Sequence, residues 1–171
     1  MSLSWKSILT TSYIFEHVFV YIIFINSFKI LEMHVDRHAA GIVLYDLQES
    51  GDRVYLLLKC SRNGHWTPPK GHVDEGEIEA LVTALRETQE ESGLCKADLE
   101  LEEDFLHEIF YEVTWDGVKQ NKKVSYFLAR VKFPNKVRLS DEHSEFDWFS
   151  LQKCKSIFNT AGHQTLTDVF K

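Results

Sequence analysis

Two apolar runs stand out along the chain. Residues 39–47 (AAGIVLYDL) and Arg53–Cys60 (RVYLLLKC) are short, almost unbroken and rich in branched side chains. Such runs fit strands covered on both faces. Glu49, Ser50, Gly51 and Asp52 supply the turn between them. Residues 61–74, with Trp66, Pro68, Pro69 and Gly71, read as a loop. From Glu79 to Ser92 the period changes. Leu81, Leu85 and Thr88 recur at helical spacing, which predicts a helix burying Leu81 and Leu85, and Gly93 sits where a left-handed cap belongs. Residues 105–115 and 124–133 predict two strands, with Asp116-Gly117 and a polar run as the hairpin loop. Residues 146–149 predict a short strand, and Ser150 caps a last helix running through Phe158. Strands on both sides of a central helix, mixed in direction, imply an α+β sandwich.

The first 33 residues do not follow this pattern. Residues 18–25 read VFVYIIFI, but Glu16 and His17 precede the run and Asn26, Ser27 and Lys29 follow it. A spanning helix needs about 20 mostly apolar residues, and no small-residue cleavage site follows the run. Residues 1–33 are therefore expected to be an extension outside the domain, from a start placed upstream of Met33. A membrane-anchoring segment and an extra element packed on the domain are the other two readings. Residues 34–171 are expected to form the single domain.

Composition narrows the function. The chain has 171 residues, 44% of them apolar, which suits one domain with a real core. Its formal charge of −7 argues against a nucleic-acid-coating surface, though not against a polyanionic ligand whose charge metal ions neutralise. Three scattered cysteines, Cys60, Cys95 and Cys154, exclude a disulfide framework and a cysteine-based zinc site. They fit a reducing, cytoplasmic compartment, with the nucleus or a mitochondrion as further options.

The chemistry concentrates on the predicted helix. Glu87, Glu90 and Glu91 stand at i, i+3 and i+4, so three carboxylates share one face. Alone, such a cluster reads equally as a solvated acidic face. Arg86 beside it, Leu81 and Leu85 opposite, the stop at Gly93-Leu94, and the preceding loop with Gly71 and Glu77 favour a platform for a hard cation such as Mg²⁺.

The residues from Gly71 to Glu77 (GHVDEGE), followed by Arg86 to Leu94 (RETQEESGL), resemble the Nudix box. Two departures stand out: eight residues rather than seven separate Glu77 from Arg86, and the usual apolar position holds Thr88. The extra residue is expected in the loop before the helix. The segment from His65 to His72 (HWTPPKGH), and the one from Ser140 to His143 followed by Phe146 to Phe149, are similar to segments of the asymmetrical diadenosine tetraphosphate hydrolases. This resemblance implies a Nudix-type α/β/α sandwich with a mixed sheet. It implies a monomeric pyrophosphohydrolase that cleaves dinucleoside polyphosphates with Mg²⁺ or Mn²⁺. The alternatives are a Nudix hydrolase of another nucleotide, an inositol polyphosphate or an RNA cap, and a non-catalytic nucleotide-binding module.

Carried over residue by residue, the resemblance makes Glu87, Glu90 and Glu91 metal ligands, one of them a possible base, with the Gly71 carbonyl as a further oxygen. Arg86 orients carboxylates and pairs with Glu77. Glu142 matches the further glutamate that binds metal or activates water. Lys70, His72 and His65 flank the phosphate path, and Tyr111 matches an adenine-stacking aromatic. Lys123, with Lys122, is placed near the distal phosphates. The second stacking aromatic is replaced by Thr165, leaving Phe158 or Phe170 as candidates.

Overall fold

The computed structural model describes residues 35–160 together with Thr167, Val169 and Phe170. The extension, anchor and extra-element readings of residues 1–33 lie outside the described residues, as does Thr165. Eight strands form one sheet: β1 (Arg37–Leu47), β2 (Arg53–Cys60), β3 (Trp66–Thr67), β4 (Lys70–His72), β5 (Leu99–Leu101), β6 (His107–Trp115), β7 (Val118–Val131) and β8 (His143–Ser150). Helix α1 spans Ala80–Ser92 and helix α2 spans Leu151–Thr160.

Side chains of a strand alternate between faces, and β1 is apolar on both. Ala39, Val43 and Tyr45 join a core with Leu57, Val124, Tyr126 and, from α2, Cys154 and Phe158. Ala40, Ile42 and Leu44 join the opposite core with Leu56, Leu58, Val131 and, from α1, Ala84. The fold is therefore an α/β/α sandwich. Each fully buried branched side chain contributes about 1.5–3 kcal/mol, so the central strands, more than the helices, hold the layers together.

Pairing along β1 positions the site. One edge takes β7 in parallel, from Arg37 opposite Lys122 to Tyr45 opposite Arg130. The other edge is shared by two antiparallel partners, β2 at Tyr45–Leu47 and β4 at residues 39–41. Between them the Ile42 amide donates to the Pro69 carbonyl at 3.2 Å. A Cβ on Gly41 would collide with that carbonyl, so the close approach requires glycine there.

Several expectations change. The buried side of α1 is Thr83, Ala84, Thr88 and Ser92; Leu85 packs at its margin and Leu81 is only half-buried. Buried hydroxyls are tolerated because each finds an acceptor: Thr88 Oγ1 the Ala84 carbonyl at 2.7 Å and Ser92 Oγ the Thr88 carbonyl at 2.6 Å within the helix, and Thr83 Oγ1 the Glu77 carboxylate before it. Residues 61–74 contain the two short strands β3 and β4. The polar run after Gly117 is strand, not loop. Asp116 and Gly117 have φ of 49° and 77°, and they join β6 directly to β7 as a two-residue turn of the type that matches strand twist. Ile78 and Glu79 lie in the turn between Glu77 and the start of α1 at Ala80, and Ile78 is 96% exposed. Ser150 caps α2, its Oγ accepting from the Lys153 amide at 3.3 Å.

Candidate active site

The site is built around one guanidinium. Arg86 grips Glu77 with two bonds, Nε to Oε1 at 3.0 Å and Nη2 to Oε2 at 3.2 Å. Its Nη1 donates to Glu87 Oε1 at 2.7 Å and Glu90 Oε2 at 3.1 Å, and its Nη2 donates to the His72 carbonyl at 3.0 Å. The planar fork of donors permits this many partners at once. Glu77 also accepts from Thr83 Oγ1 and the Asp74 amide. Arg86 first, then those two donors, hold its carboxyl down at about 2. The extra residue in the box therefore leaves the Glu77–Arg86 pair intact.

Two of the three helix carboxylates are withdrawn from water. The Glu87 and Glu91 side chains are 14% and 12% exposed, whereas Glu90 is at the surface. Burial pushes Glu91 up to about 7, with Glu87 and Glu142 adding and Lys70 opposing. Burial also raises Glu87, against the pull of Arg86. Glu91 Oε2 accepts from the Lys70 amide at 3.0 Å, and Oε1 lies 3.9 Å from His143 Nε2. Burial and nearby Lys70 lower the His143 pKa, so this imidazole is neutral near pH 7. The Glu87 carboxylate lies against Gly71, where any Cβ would overlap it.

These groups open into a cleft of about 980 Å³. Lys70, Gly71, His72, His65, Glu87, Glu90, Glu91, Tyr111 and Glu142 all line it. Lys123 does not: it points to the other face of β7 and pairs with Glu108. Its neighbour Lys122 lines the cleft instead, pushed down to about 8 by burial beside Lys70 and Arg37. Phe158 and Phe170 are excluded as stacking faces, because both are buried and packed on each other at 5.2 Å.

A model of the NUDIX domain matches residues 35–169. This chain belongs to the NUDIX family. It is 41% identical over 124 residues to a bis(5'-nucleosyl)-tetraphosphatase (asymmetrical) of Caenorhabditis elegans, covering 72% of this chain and 86% of the relative. It is 49% identical over 102 residues to the Sus scrofa protein of the same name, covering 58% of this chain and 65% of the relative, just under two thirds of that length. A crystal structure of a C. elegans Ap4A hydrolase binary complex matches with a TM-score of 0.68 and 39% identity, over 78% of this chain and 94% of that one.

NUDIX hydrolases generally use a divalent metal, and the residues here fit one. Among the described residues no three His, Cys, Asp or Glu groups already close on a point. Mg²⁺ does not ask for that, because it binds through one or two carboxylates, water and substrate phosphate. The donors are hard oxygens, two of them buried with their charge only partly compensated. Two buried polar atoms of residues that line the cleft, the Tyr126 hydroxyl and His143 Nδ1, have no hydrogen-bond partner among the described residues.

Sequence put Lys122 and Lys123 together near the distal phosphates without separating them, and it gave no role to Tyr126 or His143. The parity of Lys122 depends on β7 starting at Val118 rather than 124. Tyr126 reads as an ordinary strand residue. His143 carries one signal, its place directly after Glu142.

Proposed function

We propose that this NUDIX protein is a hydrolase of dinucleoside polyphosphates, which splits diadenosine tetraphosphate into ATP and AMP. The observation that carries the reading is that one cleft holds both the Glu87–Glu90–Glu91 face and a strip of cations, Lys70 and Lys122, with Arg37 behind them. A −7 protein thereby offers a polyanion cationic side chains beside its carboxylate face.

Lys70 and Lys122 bind phosphate oxygens, and His72 orients the chain at the cleft mouth. Tyr111 offers its ring to one adenine. Glu87, Glu90 and Glu91 would hold the metal, with the Gly71 carbonyl beside them. The metal, when bound, neutralises phosphate oxygens and acidifies water. Arg86 holds Glu87 and Glu90 toward the cleft. Glu142 accepts the proton from the attacking water. The water oxygen bonds to one phosphorus, one anhydride bond breaks, and the leaving phosphate departs with its electron pair. The reading places a monomer in a reducing compartment, in keeping with unpaired Cys60, Cys95 and Cys154. No helix among the described residues is long and apolar enough to cross a membrane.

The test is to incubate the full chain with diadenosine tetraphosphate and Mg²⁺ and separate the products. Equal ATP and AMP are expected. Two ADP would overturn the asymmetric cut, and no product would overturn the enzymatic reading. Glu90→Gln is expected to lower kcat by at least about a hundredfold, since even groups behind metal ligands cost 10–100-fold when lost.

A further inference from the structure

The residue after Glu142 is fixed as firmly as the acids themselves, and the reaction above gives it no task. β8 pairs with β2 in regular antiparallel register from Val54 opposite Ser150 to Lys59 opposite Glu145; then the register slips, and Cys60 stands opposite His143. A bulge of this kind re-aims side chains and interrupts regular pairing. Past it, His143 lines the cleft, whereas Glu145 pairs with Lys59 at 2.8 Å. The chain around His143 is tied down. The Ser61 amide donates to the Glu142 carbonyl at 2.9 Å, the His143 amide to the Ser140 carbonyl at 3.1 Å, and the Ser140 amide to the Glu91 carbonyl at 3.3 Å. The last of these stitches the loop to the final turn of α1.

The His143 side chain is 6% exposed, and its Nε2 lies 3.9 Å from Glu91 Oε1. The other Glu91 oxygen, Oε2, accepts from the Lys70 amide at 3.0 Å. A carboxylate held at one oxygen still turns, because the terminal torsion of glutamate is broad. A donor facing the second oxygen fixes its plane. Packing alone does not explain an imidazole here. His143 carries Nδ1, buried with no hydrogen-bond partner among the described residues, and an unpaired buried nitrogen costs stability. A hydrocarbon ring would fill the space without that cost, so the imidazole is there for its other nitrogen.

We propose that His143 is a positioning residue of the hydrolase: its Nε2–H faces Glu91 Oε1 and sets the plane of that carboxylate, through a contact that shortens as Glu91 engages its metal. The inference rests on the metal-holding role given to Glu91 above. Because His143 directly follows Glu142, one dipeptide supplies the proton acceptor and steadies a metal ligand.

The experiment follows the unfolding midpoint of the full chain as Mg²⁺ is added, which reads metal binding without turnover. The unsubstituted protein is compared with His143→Phe, which keeps a ring and loses both nitrogens, and with His143→Gln, whose amide N–H takes the place of Nε2–H. Glu91→Gln, alone and combined with His143→Phe, completes the set. His143→Phe is expected to raise the half-saturating Mg²⁺ about tenfold, within the range for groups behind metal ligands, and to lower kcat about as far while KM moves less than about twofold. His143→Gln is expected to recover most of both losses. In the Glu91→Gln background, His143→Phe should add less than about a twofold change, since its effect runs through Glu91. An unchanged Mg²⁺ response in His143→Phe, a glutamine variant no better than the phenylalanine one, or an equal His143→Phe effect with and without Glu91 overturns the proposal. If Glu91→Gln alone leaves the Mg²⁺ response untouched, the metal role of Glu91 has failed, and the proposal falls with it. Midpoints without Mg²⁺ report folding separately, so lost stability is not mistaken for lost positioning.

Discussion

A single hydrogen atom decides where Glu87 sits. Gly71 has room for nothing larger, because its missing Cβ is occupied by the Glu87 carboxylate. Gly71→Ala should push that carboxylate off its position and cut kcat by at least tenfold, while thermal unfolding moves little; steady-state kinetics beside a melting curve checks both. Arg86→Lys replaces a fork of donors by a point charge, which cannot hold Glu77 in two places and still reach Glu87 and Glu90. Activity should fall about 10–100-fold, and the segment from Asp74 to Glu79 should become more open to proteolysis. Sequence showed the carboxylate face plainly, because helical spacing puts residues 87, 90 and 91 together whatever the helix packs on. It could not show which of two adjacent lysines faces the ligand. Strand parity flips with a one-residue change in register, and Lys122 and Lys123 are chemically alike.

Elements with strong apolar runs or clear caps were legible: β1, β2, α1 and α2 lie close to where the pattern put them. The missed strands are short, polar or beside proline. β3 and β4 have two and three residues around Pro68-Pro69, and β5 has three. The first six residues of β7, from Val118 to Lys123, carry no fully buried side chain, so no hydrophobic alternation marks them. A pinned element lies outside the site. Asp98, in the 3₁₀ turn Lys96–Asp98, accepts from the Lys136 ammonium and from Cys95. Those partners, Lys136 first, hold its carboxyl down at about 2. A carboxyl lowered in the folded state stabilises above its unfolded value, near 4, and loses that contribution as pH falls toward 2. Denaturant titrations of Asp98→Asn beside the unsubstituted protein should therefore show a gap at pH 6 that shrinks between pH 4 and 2.5. A gap independent of pH would contradict the assignment. Gly117→Ala forces a Cβ into a φ of 77° and should cost about 1 kcal/mol, with amide exchange quickening across the β6–β7 tip first.

At the scale of the whole molecule, the buried acids give the divalent ion a second readout besides turnover. A ligand that binds only the folded state raises its unfolding midpoint. Mg²⁺ should do so at pH 7.5, and the response should largely vanish when Glu87 and Glu91 are both changed to Gln; an equal rise in both proteins would mean the ion docks elsewhere. The forked edge of β1 has a consequence of its own. One strand leaves that edge and another takes its place three residues away, so the sheet parts there like a seam whose stitches run to different cloths. The cleft takes one wall from that second partner, since Lys70, Gly71 and His72 of β4 line it beside Ala39 of β1. Repacking the two cores would make the molecule sturdier or frailer without closing it, whereas one register slip in the three residues of β4 would erase it.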